Sequence, residues 1–116
     1  MTSNRPRPIT APALMDWMRS DQPLQLVDVR ESQELALASF PADVVHLPLS
    51  GSSDWLDSLR QRLSAGVPVV VLCHAGIRSL HFGQWLLEQE WGLDVWNLDG
   101  GIDAWSLQVD PTPPRY

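Results

Sequence analysis

The chain has 116 residues, 44% of them hydrophobic, which is enough to bury one core but not two. Its 8 arginines, absence of lysine and 14 acidic residues leave a net charge of −6 with no basic run, which argues against nucleic acid or an anionic membrane surface as partner. One cysteine cannot close an intramolecular disulfide, no apolar stretch approaches the ~20 residues of a membrane span, and the first ten residues lack a signal-peptide core, so the sequence reads as a soluble cytoplasmic protein.

Residues 1–8 are polar, include Pro6 and Pro8, and are expected to form a flexible arm ahead of a single domain at 9–108. Thr10 suits a helix N-cap and Pro12 a first helical turn, where its missing N–H costs nothing. Leu14, Trp17 and Met18 then repeat at helical spacing, predicting a short amphipathic helix over 11–19 that Asp21, Gln22 and Pro23 break. Leu24 to Val29 reads as a buried strand. Asp28 stands inside that apolar run, where a carboxylate is costly unless paired or hydrogen-bonded. Asp28 and Arg30 are therefore expected to brace the loops at the carboxyl end of the sheet. Glu31 to Ala38 continues as a helix closed by Ser39-Phe40-Pro41, and Val44 to Leu47 is a short strand stopped by Pro48. His46, with no second ligand at metal-binding spacing, is expected at the surface.

After the Gly51-Ser52-Ser53 loop, Trp55, Leu56, Leu59 and Leu63 line one face of a further helix, ended by Ala65-Gly66. Val69-Val70-Val71-Leu72 then forms a dense β-branched run, most simply a buried parallel strand. It stops at Cys73, the only thiol, followed by His74, Ala75, Gly76, Ile77 and Arg78. Ser79 is read as the N-cap of a helix over 79–90, with Leu80, Trp85, Leu86 and Leu87 inward and His81 at the surface. At the carboxyl edge of a parallel sheet, loop amides and helix N-termini converge on ligands. A cysteine there is either a small buried hydrophobe or a nucleophile in an environment favouring the thiolate. Gly76, which permits an anion-binding nest of backbone N–H groups, the permanent charge of Arg78, and the Ser79 cap favour the nucleophile.

Gly92 ends that helix, and Asp94 to Leu98 makes the last strand. The paired Gly100-Gly101 predicts a tight turn passing close to another loop, before a helix over 102–107. Residues 109–116, with three prolines, are expected to run extended over the surface. Strands alternating with helices specify an α/β fold of three layers, a parallel sheet of about five strands with helices on both faces.

Three stretches carry a resemblance: CHAGIRS at 73–79, LVDVRE at 26–31 and LDGGIDAW at 98–105. Together, in this order, they resemble the rhodanese-like domains, the family of the single-domain thiosulfate sulfurtransferases, over about Ile9 to Trp105. The resemblance implies that Cys73 is the catalytic residue and that the loop from His74 to Ser79 binds substrate. It places Asp28 and Arg30 beneath the loop and the Trp105 segment beside it. The chain departs from the family at Ala38 to Asp43, where many members have G-H-I-P-G-A, so the pocket wall and substrate choice are open.

The implied reaction needs no metal and no cofactor beyond a covalent persulfide on Cys73. A thiosulfate-like anionic donor supplies the sulfur, and a thiol or protein acceptor removes it. Arg78 either orients the donor or holds the loop, and His74 either sets acceptor preference or fills surface. Two alternatives are carried: a persulfide carrier or partner-binding module without turnover, and a phosphatase or arsenate reductase on the same fold. Related phosphatases set one more residue between cysteine and arginine than the stretch His74 to Ile77, and a smaller amide ring suits a single sulfur.

Overall fold

The structure, a computed structural model, describes residues 5–116. Five parallel strands, β1 (Arg7–Ile9), β2 (Gln25–Asp28), β3 (Val45–His46), β4 (Val69–Leu72) and β5 (Val95–Leu98), pair in the order β1-β5-β4-β2-β3. The most apolar run is thus the middle of the sheet: all four residues of β4 are buried, between Gln25–Asp28 on one side and Val95–Asn97 on the other. Such burial stabilises by about 1.5–3 kcal/mol for each Val or Leu side chain.

Alternation along β4 sorts the two cores. Val69, Val71 and Cys73 share a core with Trp55, Leu59, Leu63, Phe82 and Leu86. Val70 and Leu72 face the other, with Leu14, Phe40, Leu98, Ile102 and Trp105. Because successive strand residues point to opposite faces, the odd numbering of Cys73 assigns its thiol to the layer formed by α3 (Ser52–Trp55), α4 (Leu59–Arg62) and α5 (Ile77–Glu88). The helices α1 (Ala11–Arg19) and α6 (Gly101–Gln108) cover the opposite face, and α2 (Ser32–Leu37) leads from β2 toward β3. The three-layer α/β architecture is the one expected.

Several boundaries differ from expectation. The arm proposed at 1–8 falls partly outside the described residues, but Arg7 and Pro8 belong to β1, which pairs with Trp96 and Asn97. An edge strand needs few ladder donors, so Pro8 is tolerated there. The helix expected after Gly51 is interrupted by a 3₁₀ turn at Leu56–Ser58. The Ser58 hydroxyl donates to the Trp55 carbonyl at 3.2 Å, occupying the acceptor that a continuous helix would offer to Leu59. Leu56 consequently turns outward and is 44% exposed, while Trp55, Leu59 and Leu63 are buried as expected. Gly66 (φ +77°) and Gly92 (φ +75°) turn the chain beyond the helix ends, at Arg62 and Glu88, rather than closing them directly.

Candidate active site

The chain leaves β4 at Cys73 and turns into α5 through Gly76, whose φ of +102° only glycine adopts without strain. A Cβ there would also lie 3.1 Å from the Gly100 amide nitrogen. Gly76 is therefore the residue before the helix, and α5 begins at Ile77. Ser79 is not the N-cap. It sits in the first turn, buried, with its hydroxyl turned toward the sulfur.

Cys73 Sγ is the focus of the loop and is buried. Gly76 N–H lies 3.1 Å from it, Ser79 N–H 3.4 Å and Ser79 Oγ 3.2 Å. Among the described residues these are the sulfur's hydrogen-bonding neighbours; Ala75 and Ile77 stand exposed on the rim. The Ser79 hydroxyl has one proton and two acceptors, because Asn97 Oδ1 lies only 2.5 Å away. Asn97 also donates from Nδ2 to the Gly76 carbonyl at 3.1 Å, so β5 braces both the first turn of α5 and the glycine before it.

The other wall comes from α6. Ile102 N–H donates to the Cys73 carbonyl at 2.9 Å and Asp103 N–H to the His74 carbonyl at 3.1 Å. A Cβ on Gly101, whose φ is +62°, would lie 2.4–2.5 Å from those carbonyl atoms. The close approach expected of the paired glycines is present. Trp105 does not touch the sulfur. It is buried in the opposite core against Phe40, ring centroids 4.7 Å apart, and anchors the helix whose amides hold the loop.

Arg78 does not point its guanidinium at Cys73. Both terminal nitrogens meet the Glu34 carboxylate at 2.8 Å. Glu34 also accepts from Glu31 N–H at 2.9 Å and from the Tyr116 hydroxyl at 3.0 Å. The fork from Arg78, aided by those two donors, holds its carboxyl down to about 2. Among the described residues Glu34 takes two of its five guanidinium donors, so Arg78 keeps N–H groups for a further anion.

Asp28 and Arg30 form a fully buried ion pair, with Arg30 Nη2 2.8 Å from Asp28 Oδ2 and Nε 3.1 Å from Oδ1. The Arg30 carbonyl accepts from His46 Nε2 at 2.7 Å, so His46 is half-buried and structural rather than a free surface residue. Removing one member of such a pair costs about 3–5 kcal/mol. Arg30 reaches the site indirectly, through the Glu34 carbonyl and the Tyr116 hydroxyl. Glu34, Asn97 and Tyr116 were not expected at the site. Asn97 carried a signal, a polar residue inside an apolar strand like Asp28, whereas Tyr116 lies 82 positions from Glu34 and carried none. Among the described residues no cluster of three His, Cys, Asp or Glu side chains could hold a metal ion, and no helix is long and apolar enough to cross a membrane.

The sequence pattern of the Rhodanese-like domain matches residues 10–108. The chain belongs to the rhodanese-like domain family. It is 40% identical over 92 residues to the rhodanese-like/PpiC domain-containing protein 12, chloroplastic, of Arabidopsis thaliana, covering 79% of this chain but only 30% of that longer protein. It is 33% identical over 92 residues to the thiosulfate sulfurtransferase GlpE of Actinobacillus pleuropneumoniae, covering 78% of this chain and 79% of that one. The crystal structure of a rhodanese-like domain protein from Staphylococcus aureus superposes with a TM-score of 0.71 at 26% identity, over 85% of this chain and 90% of the other.

Proposed function

We propose that this rhodanese-like chain is a sulfurtransferase working through a persulfide on Cys73. The observation that carries the reading is the pair of backbone N–H groups aimed at Sγ, from Gly76 at 3.1 Å and Ser79 at 3.4 Å, at the start of a helix. Fixed dipoles of this kind stabilise a sulfur anion without reorganising. In the first step the thiolate attacks the outer sulfur of a thiosulfate-like donor. A new S–S bond forms, the old one breaks, and sulfite leaves with its electron pair. In the second, a thiophilic acceptor, cyanide in an assay or a thiol or protein thiolate in a cell, attacks that outer sulfur and releases the Cys73 thiolate. No histidine–carboxylate relay is needed, since neither step requires the enzyme to deliver a proton.

The remaining N–H groups of Arg78 would receive the anionic end of the donor, and no cofactor is required beyond the persulfide itself. A cytoplasmic site of action belongs to the same proposal, because a reducing compartment supplies thiol acceptors and suits a lone unpaired cysteine. The GlpE likeness supports the choice of thiosulfate as the probe. Incubation with thiosulfate should add one sulfur atom to the intact protein, removable by cyanide with formation of thiocyanate. Absence of the adduct would sink the reading. An adduct that forms once and is not turned over by cyanide or thiols would mark a carrier instead of an enzyme.

A further inference from the structure

The segment after α6 runs mostly exposed over the surface, as its prolines suggest, and it is also anchored there. The Ser106 hydroxyl donates to the Pro113 carbonyl at 2.7 Å, and Pro113 is buried. Arg115 pairs with Asp103 at 2.8 Å, and Asp103 is the residue whose amide holds the His74 carbonyl. These anchors return the chain to the catalytic loop. There the Tyr116 ring stacks on His74, centroids 4.1 Å apart and planes 12° from parallel. Its hydroxyl accepts from Arg30 Nη1 at 3.1 Å and donates to Glu34 Oε1 at 3.0 Å. Burial raises the pKa of the phenol, which keeps the proton that this second bond requires.

The consequence is a continuous rim on one side of the loop. His74 begins the loop and Arg78 ends it. Tyr116 touches the first directly and reaches the second through Glu34. On its other side Arg78 borders an open groove of about 410 Å³, lined among others by Leu49, Trp55, Leu56, Phe82 and Trp85. Arg78 thus stands between a ring tied down at both its face and its hydroxyl, 37% exposed, and an apolar groove that is open.

We propose that Tyr116 is a specificity-determining residue: its ring walls off the His74 side of the mouth, so that reagents reach Cys73 over Arg78 and bulky sulfur donors are refused on the walled side. For its turnover arm the proposal rests on the sulfur-transfer reading; the wall itself does not.

The test uses the full chain, in which Cys73 is the only thiol. Alkylation is followed with a small reagent, iodoacetamide, and a bulky one, N-(1-pyrenyl)maleimide, and the ratio of rates cancels changes in thiol reactivity. Tyr116→Ala should raise the bulky-to-small ratio about tenfold, the scale on which a pocket wall discriminates by size. Tyr116→Phe keeps the ring and its stack and should keep the wild-type ratio. An unchanged ratio in Tyr116→Ala, or an equal rise in Tyr116→Phe, overturns the proposal. Should Tyr116→Ala fail to melt cooperatively, Tyr116→Leu replaces it, with the same rise expected. In turnover, kcat/KM for benzenethiosulfonate relative to thiosulfate should rise in the alanine variant through KM. In that reaction Cys73 takes the sulfane sulfur and benzenesulfinate leaves with the bonding pair. If the wild type takes no sulfur from thiosulfate, the sulfurtransferase reading falls, while the alkylation ratio still decides the wall.

Discussion

Glu34 holds Arg78 in a two-pronged ion pair, both bonds 2.8 Å, so the one arginine of the cysteine loop is already partly neutralised. The pair has a pH signature. The Glu34 carboxyl is lowered from 4.5 to about 2, chiefly by Arg78, so its contribution to stability is complete above the unfolded value and lost as pH falls toward the folded one. Thermal melts between about pH 5 and pH 2.5 should show a loss that Glu34→Gln lacks, because an amide does not titrate there. Equal losses in both proteins would mean that this pair does not contribute. At neutral pH the same variant frees Arg78 and should lower the KM for thiosulfate.

Cys73→Ser tests the nucleophile with little change in shape. The hydroxyl nearly matches the thiol in size and keeps its place beside Gly76 N–H and Ser79 N–H. Both the sulfur adduct and thiocyanate production should vanish while the melting curve stays close to wild type. Residual turnover in that variant would locate the chemistry elsewhere.

Two glycines with similar backbone angles separate strain from contact. Gly92 has φ +75° and open space where a Cβ would go, whereas a Cβ on Gly101, at φ +62°, would collide with the Cys73 and His74 carbonyl groups. Gly92→Ala should cost only the left-handed penalty, about 1–2 kcal/mol, and leave sulfur transfer alone. Gly101→Ala should cost more and also lower kcat, because relief of the clash moves α6 from the loop it braces. Equal stability losses with equal activity would show that the α6 contact does not shape the site.

Ser79→Ala removes the one hydrogen-bond donor to Asn97 Oδ1 among the described residues and leaves that buried oxygen unpaired, a cost of about 1–3 kcal/mol by chemical denaturation. The effect on sulfur transfer should be smaller than that of losing a whole anion-stabilising donor, since the short bond to Asn97 holds the hydroxyl proton and Ser79 N–H remains. A loss in kcat approaching about a hundredfold, the scale of an oxyanion-hole deletion, would mean that the proton turns to sulfur during the reaction.

What the sequence made legible follows the range of the forces involved. The β-branched run at Val69–Leu72 and the apolar spacing of Leu14, Trp17 and Met18 are local patterns, and both gave the right elements. Thr10 caps α1 as its chemistry predicts, accepting from Ala13 N–H at 3.2 Å. Ser79 has the same chemistry and does something else, because the left-handed turn at Gly76 starts the helix ahead of it; no composition rule distinguishes those outcomes. Strand β1 was hidden because edge pairing leaves proline in place, and nothing in Arg7-Pro8-Ile9 announces a partner at Trp96–Leu98. Within the site, the sulfur and its loop were readable as one contiguous stretch. Glu34 enters from α2, Asn97 from β5 and Tyr116 from the segment after α6, and only the fold brings them within 3.0 Å of their partners there.

Loop size is the last point that experiment can isolate. Inserting one glycine between Gly76 and Ile77 sets the cysteine-to-arginine spacing to that of the related phosphatases while keeping the nucleophile and the arginine. Glycine adds backbone without a side chain to block the mouth. In the native loop Gly76 N–H and Ser79 N–H converge on one sulfur at 3.1 and 3.4 Å, and Asn97 fixes their separation by holding the Gly76 carbonyl and the Ser79 hydroxyl together. The insertion must break one of those two holds, so the amide ring widens rather than merely shifting. Sulfur transfer should fall sharply and tungstate or phosphate should begin to bind, measured by calorimetry on protein shown to melt cooperatively. Arg78→Ala makes the contrast: it leaves the ring intact, so thiosulfate should bind less tightly while tungstate still finds no site. An insertion variant that keeps its sulfur transfer and gains no oxyanion affinity would show that ring size does not choose the chemistry.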